Sequence, residues 1–90
     1  MTLEEGKSAV RITNSRLDQE VQDTMDAALL DLGTAGVVAV DDALVDAAVR
    51  QYLRWQFNYM GKGEQYQRAY NDLKSALSLI PEYNGGGGST

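Results

Sequence analysis

The sequence predicts an all-α protein, a compact bundle of about four helices with a long central third helix and a flexible glycine-rich C-terminal tail. Apolar residues recur at three- and four-residue spacing through most of the 90 residues. Glycines and the single proline, Pro81, fall between or after these periodic segments. The apolar stretch 33–40 is predicted to be a loop, because no second strand is available to pair with it.

Length and composition predict one helical domain over residues 1–83 and a tail over 84–90 that is either native or an expression remnant. The chain contains neither Cys nor His, which removes disulfides, thiolate catalysis and the commonest general base. Its formal net charge of -5 argues against non-specific nucleic-acid binding. We see no membrane span and no leader, so we expect a soluble protein made in a cytoplasm.

The first helix is predicted from Leu3 to about Ile12, because Thr2 and Glu5 have the capping-box spacing. The second is predicted over 16–32, with Asn14 or Ser15 as cap and Gly33 just past the end. Its apolar positions share one face, and acidic residues fall opposite, with Leu30 among them. The apolar set is Leu17, Val21, Met25, Ala28, Leu29 and Leu32, and the acidic set is Glu20, Asp23, Asp26 and Asp31.

The third helix is predicted from Asp42 to about Met60, with Asp41 as N-cap. Its apolar residues cover roughly 220° of the helical wheel, which predicts a central helix with neighbours on several sides. The remaining polar stripe consists of Asp46, Arg50, Arg54 and Asn58. Arg54 follows a like charge by four residues, so we expect it to pair with a carboxylate outside its own helix.

A turn at Gly61-Lys62-Gly63 is predicted to separate this helix from a fourth, over 64–79, whose apolar stripe is about 120° wide. The aromatic residues recur at helical spacing, which favours packing between the last two helices over base stacking. They are Tyr52, Trp55, Phe57, Tyr59, Tyr66 and Tyr70.

Charges of opposite sign are separated along the chain. Eight acids and no Lys or Arg lie between Leu17 and Val49, whereas residues 50–74 hold five cations against Glu64 and Asp72. Such separation is explained if the acidic part of one copy meets the basic part of the next, as in a ring or filament. The alternative is that the clusters are chance features of solvated helix faces.

We predict no catalytic, cofactor-binding or metal-binding residues. The adjacent Asp41 and Asp42 are better explained by helix capping than by a catalytic dyad. Asp23 and Asp26 lie three apart on an open face without further ligands, which makes a poor cation site. The glycines around Lys62 do not match a phosphate-binding loop.

Several segments, taken in order, resemble one known family. They are 11–14 (RITN), 17–23 (LDQEVQD), 27–32 (AALLDL), 35–37 (AGV), 42–49 (DALVDAAV), 66–74 (YQRAYNDLK) and 76–79 (ALSL), with Tyr52 and Phe57 on the long helix. The chain is similar over about 2–83 to the small head–tail connector proteins of tailed bacteriophages, also called head-completion, adaptor or DNA-packaging proteins. The signal is the helix order, the loop after Gly36, the acidic start of the third helix and the aromatic second half together.

The resemblance implies an α-helical structural protein that forms a ring, usually twelve-fold, beneath the portal at the virion neck. Such a ring extends the DNA channel, lets DNA pass without specific binding and docks the next neck or tail protein, after assembly in the bacterial host cytoplasm. It implies neither ATP hydrolysis nor membrane contact. The family's usual proline near the start of the long helix is missing, since Ala43 follows Asp42, and the glycine-rich tail departs from relatives whose C-terminal segment reaches into the portal.

The interface hypothesis is that the acidic face of the second helix meets the Arg50 and Arg54 stripe of a neighbour, or else lines the channel. Its candidate residues are Glu20, Asp23, Asp26, Leu30, Val37, Val38, Arg50 and Arg54. The alternative function is a small acidic regulator or decoy that binds a basic protein. A carboxylate–metal enzyme is the third class.

Overall fold

The computed structural model describes residues 1–38 and 42–80, and these form an all-helical bundle, as predicted. The α-helices are α1 (Leu3–Ala9), α2 (Asp18–Thr34), α3 (Ala43–Gln56) and α4 (Gly63–Ser78), and a 3-10 turn spans Tyr59–Gly61. No strand occurs within the described ranges. The predicted tail over 84–90 and the predicted cap Asp41 lie outside them.

Helix α3 is central, as its apolar circumference predicted, because α1, α2 and α4 all pack against it. Its inward positions Val45, Ala48, Val49 and Leu53 are almost completely buried. The aromatic residues pack between α3 and α4, with the Tyr70 ring 5.0 Å from Tyr52 and 6.0 Å from Trp55 between centroids. These contacts confirm the packing interpretation of the aromatic spacing.

Helix α1 has the predicted capping box but ends earlier than predicted. The Glu5 amide donates to the Thr2 hydroxyl at 3.2 Å, and the Thr2 amide donates to the Glu5 carboxylate at 2.8 Å. Arg11 then adopts a left-handed conformation with φ 55°, and the Ile12 amide donates back to the Lys7 carbonyl at 2.9 Å. This is a Schellman closure with arginine in the position that glycine usually takes.

Helix α2 is shifted relative to its predicted bounds. It begins at Asp18 rather than Arg16, and neither Asn14 nor Ser15 is its cap, because the Asn14 side chain instead accepts from the Arg16 amide at 3.0 Å. It continues through Gly33 to Thr34. Gly36, with φ 87°, closes it by the same motif, since the amide of Val37 reaches the Leu32 carbonyl at 2.9 Å.

The bounds predicted for the third helix were wrong at both ends. Asp42, not Asp41, is the N-cap, and its carboxylate accepts from the Leu44 amide at 2.9 Å. The helix ends at Gln56 because Asn58 and Met60 take left-handed conformations, with φ 47° and 57°. No glycine or proline marks this break, and the apolar periodicity continues through Met60. The predicted helix was therefore too long at its C-terminal end.

The Asn58 side chain joins the end of α3 to the start of α4. Its carbonyl oxygen accepts from the Gly63 amide at 2.9 Å. A Cβ atom on Gly63 would lie 2.7 Å from that oxygen and 3.3 Å from the Trp55 carbonyl oxygen. The close approach explains why glycine begins α4.

We therefore expect Gly63→Ala to destabilise the protein by about 1–2 kcal/mol, because the new methyl group must displace Asn58 and break its hydrogen bond. Gly33→Ala is the matched control, since it is exposed, helical and has nothing within 4 Å of the added Cβ. That control should stabilise the fold by roughly 0.5–1 kcal/mol. Urea unfolding measures both, and a Gly63→Ala variant as stable as the parent would contradict the packing argument.

Candidate interface

The eight predicted interface residues fall into three groups: exposed residues on α2, arginines engaged within the chain, and two adjacent valines in the connection from α2 to α3. Glu20, Asp23, Asp26 and Leu30 are exposed, Arg50 and Arg54 are half-buried, Val37 is buried and Val38 is exposed. The structure therefore brings together only the α2 set as an open surface.

The acidic face of α2 is defined by Glu20, Asp23 and Asp26 with the adjacent Leu30. At 100° per residue these four positions span about 120° of the helix. The two aspartates accept hydrogen bonds from glutamines four residues earlier, at 2.8 Å from Gln19 and 3.0 Å from Gln22. No cation of the described residues forms an ion pair with the three acids. Leu30 is 75% exposed, so the face combines unneutralised negative charge with uncovered apolar surface.

Arg54 has its contacts within the chain, outside its own helix. Its Nε donates to the Ala9 carbonyl at the end of α1 at 3.0 Å. Its guanidinium carbon lies 5.9 Å from the ring centroids of both Tyr59 and Tyr66, the geometry of cation–π contacts. Arg54 is thus a structural link between α1, α3 and α4, and the expected carboxylate partner is replaced by a carbonyl and two aromatic rings.

Arg50 lines a shallow groove between α1 and α3, together with Glu4, Glu5 and Ser8. The pKa of Glu5 is lowered, chiefly by the hydrogen bonds from Thr2 and only slightly by the charge of Arg50. Arg50 therefore faces acids of its own chain. Arg54, the other arginine of the predicted stripe, lines the same groove. Its contacts within the chain leave it unavailable to the acids of a neighbouring copy.

Val37 is 3% exposed and Val38 is 59% exposed. Val37 was expected at a partner surface or under a helix, and the Schellman closure of α2 turns it into the core beside Leu32. Only the next residue faces outward. Val37 is therefore a core residue and not part of an exposed interface, because the turn at Gly36 directs its side chain inward.

The helical position of Asp31 predicted that it belongs to the acidic side of α2, but its carboxylate instead contacts two residues of α4. Its carboxylate accepts from the Tyr70 hydroxyl at 2.5 Å and from the Lys74 ammonium at 3.0 Å. Tyr70 is completely buried, and burial together with this bond raises its pKa. The same hydrogen bond from Tyr70 is the main cause that lowers the pKa of Asp31. The group ties α2 to α4 across 39 residues, a pairing for which the sequence carries no local signal.

A second internal ion pair joins α1 to the start of α2. The Lys7 ammonium lies 2.7 Å from Asp18 Oδ1, and Lys7 is only 7% exposed. The hydrogen bond to Asp18 raises the pKa of Lys7, so the side chain stays charged in the fold. Lys7 occupies the narrow apolar side of α1, and its partner is what makes a buried ammonium tolerable there.

A pocket of about 120 Å³ opens between α2 and the first half of α3. Its walls are mainly apolar, and carboxylates stand among them. The lining residues are Met1, Gln22, Met25, Asp26, Leu29, Val45, Asp46 and Val49. Sequence reasoning missed this pocket, although Asp26 belongs to the acidic face and Leu29 follows it by three residues.

The described residues do not assemble a metal-binding set, since no three acidic side chains converge. Asp42 is engaged as the cap of α3, and the adjacent Asp41, which was expected to cap that helix, lies outside the described residues. Among the described helices, none combines the length and the apolarity that crossing a bilayer requires.

Comparisons of this chain with protein-family models, with curated proteins and with solved structures found no match.

We expect Asp31→Asn to reduce the free energy of unfolding at pH 7 by about 1 kcal/mol. This is less than a buried charged hydrogen bond contributes, because the Asp31 side chain is 37% exposed and screened by water. The folded-state pKa is lowered, so the stabilisation is present above the unfolded pKa of about 3.9 and is lost as pH falls through the folded value.

The difference between parent and variant should thus be constant near neutrality and shrink below about pH 4. Asp72→Asn, an exposed acid on α4, is the control and should change the free energy of unfolding little at pH 7. Urea unfolding at several pH values measures these differences. A pH-independent loss in Asp31→Asn would show that the carboxylate charge is not what links α2 to α4.

Proposed function

We propose that this chain is a structural head–tail connector of a tailed bacteriophage, a protein that forms a ring under the portal, extends the DNA channel and docks the next neck or tail protein. The observation that supports it best is the acidic face of α2, which carries Leu30 and lacks a cation partner among the described residues. A face that is both charged and apolar is typical of a surface that another protein covers.

The charge remaining after the internal pairs are formed supports self-assembly. Lys74 neutralises Asp31 and Lys7 neutralises Asp18, which removes part of the separation seen in the sequence. Exposed acids without a cation on the same helix are left along α2, whereas around α4 the exposed cations Lys62 and Arg68 accompany the exposed acids Glu64 and Asp72. An acidic face that meets cations elsewhere on the next copy makes a heterologous contact, which closes into a ring if the rotation permits.

Net negative charge fits the passage of DNA. A channel lined by cations would hold phosphates and release counterions, so a basic lumen binds DNA rather than letting it slide. The chain carries a formal net charge of -5. The acidic face of α2 would lie either at the subunit contact or in the lumen. In neither position would it bind the phosphates of the DNA.

The second candidate is a small acidic regulator or decoy, which the same acidic face supports. A regulator would use that face to capture one basic protein, with an affinity that falls steeply with salt. It would remain a monomer or dimer at micromolar concentration. A connector would build large rings, alone or on a portal template, so the size of the assembly distinguishes the two.

The test is electron microscopy and mass photometry of the purified chain, alone and mixed with portal particles. We expect rings at low salt that weaken as salt is raised. Asp23→Lys should reduce ring formation because it reverses charge at the centre of the acidic face. Asp72→Lys, an equal change of charge on α4, should reduce it less.

Circular dichroism of both variants should match the parent, because neither aspartate contacts the core. Equal ring formation by Asp23→Lys and the parent would remove the acidic face from the contact. A chain that stays monomeric beside portal particles and captures a basic protein would favour the regulator.

A further inference from the structure

We propose that the side chain of Met60 from one copy fills the α2–α3 pocket of the next copy, with Lys62 of the first facing Asp26 of the second. This inference rests on the proposed self-assembly and names the two surfaces that make the contact. It pairs a protruding apolar group beside a cation with an apolar hollow beside a carboxylate.

The pocket has the size and chemistry for such a group. Engineered apolar cavities of about 150 Å³ bind benzene, so the 120 Å³ here suits a group of about four or five heavy atoms. Met25, Leu29, Val45 and Val49 supply the apolar wall. Asp46 lies 3.5 Å from the Met1 amino group, which leaves Asp26 as the lining carboxylate without a cation among the described residues.

Met60 is held outward by an unusual turn. It is 74% exposed and left-handed with φ 57°, between Asn58 at 47° and Gly61 at 70°. A left-handed conformation at a non-glycine residue costs free energy and persists where the surroundings enforce it. Here the Gly61 amide bonds to the Asn58 carbonyl at 2.9 Å, and the Lys62 amide bonds to the Tyr59 carbonyl at 3.0 Å. The side chain is therefore presented on a closed, pre-organised turn, which lowers the entropy lost on binding.

Charge singles out Met60 from the other large apolar groups that the described surface exposes. Within three residues of Met60 in the sequence there is one cation, Lys62, and no acid. Each of the others has at least one acid within three residues, which Asp26 beside the pocket would repel. These others are Leu29, Leu30, Val38, Leu44 and Leu79.

The protruding group and the pocket occupy different parts of the molecule. The pocket lies beside Val45 and Val49 in the first half of α3, whereas Met60 follows the end of the helix. The rise of an α-helix separates Val45 from Gln56 by about 16 Å. A two-fold pair would make this contact twice and stop at a dimer, whereas a contact made once per pair leaves one pocket and one Met60 side chain unused. The proposed contact is of the second kind, the heterologous arrangement that propagates to a ring or filament.

The first test uses reversed charges. Lys62→Glu and Asp26→Lys should each weaken self-association at least about tenfold when studied alone. An equimolar mixture of the two variants should restore association, because every contact between unlike chains again joins opposite charges. Glu64→Lys retains both Lys62 and Asp26, so it is the control and should self-associate without a partner variant. Sedimentation velocity over a concentration series measures each case.

The second test uses the absence of native cysteine from the chain. Met60→Cys and Leu29→Cys variants, mixed and mildly oxidised, should form a disulfide-linked heterodimer. Met60→Cys mixed with Leu30→Cys should crosslink at least about fivefold less, although Leu30 is the more exposed of the two leucines. Met60→Asp should abolish assembly while circular dichroism stays unchanged.

The outcomes separate this contact from the proposed function. Rings that form normally with Met60→Asp, or crosslinking that is equal at Leu29 and Leu30, would overturn the proposed contact. Neither result would contradict the proposed ring assembly. A chain that remains monomeric at every concentration and beside portal particles would overturn both. Restored association in the mixture of Lys62→Glu with Asp26→Lys, together with selective crosslinking at Leu29, would establish the contact.

Discussion

The burial of α3 is the constraint on which the rest of the structure depends. The helix has only 14 residues, and isolated helices of this length are marginal in water. Val45, Ala48, Val49 and Leu53 are covered only when α1, α2 and α4 are all in place. The seven residues of α1 are even less able to stand alone, and they are held by Gly6, which permits a close approach to Met25, and by the Lys7–Asp18 pair.

The same packing decides which charges remain exposed without an ion pair among the described residues. Arg54 links the end of α1 to the rings of Tyr59 and Tyr66. Lys74 pairs with Asp31, which also accepts from Tyr70. Both cations lie in the basic segment 50–74, so internal contacts already engage part of the positive charge of that segment. On α2, three exposed acids remain beside Leu30 without an ion pair to any cation of the described residues.

The turns at two helix ends decide which apolar residues are buried. The closure at Gly36 buries Val37 and leaves Val38 outward, so a single turn separates two adjacent valines into core and surface. The left-handed residues after α3 likewise shorten that helix and project Met60 away from the core. In both cases a positive φ near a helix end, rather than the hydrophobicity of the side chain, decides whether an apolar residue is covered.

From the sequence alone follow the all-α class, the number of helices, the capping box of α1 and the central position of α3. These depend on periodicity and on contacts between residues three or four apart, which are local properties of a helix. Helix ends at non-glycine left-handed residues such as Arg11 and Asn58 have no comparable signal, which is why the predicted bounds failed there. Only the tertiary structure decided that Asp31 turns toward Tyr70, that Arg54 is satisfied within the chain and that a pocket lies beside Asp26. Each of these joins residues distant in sequence, and their approach is set by how three helices pack around a fourth.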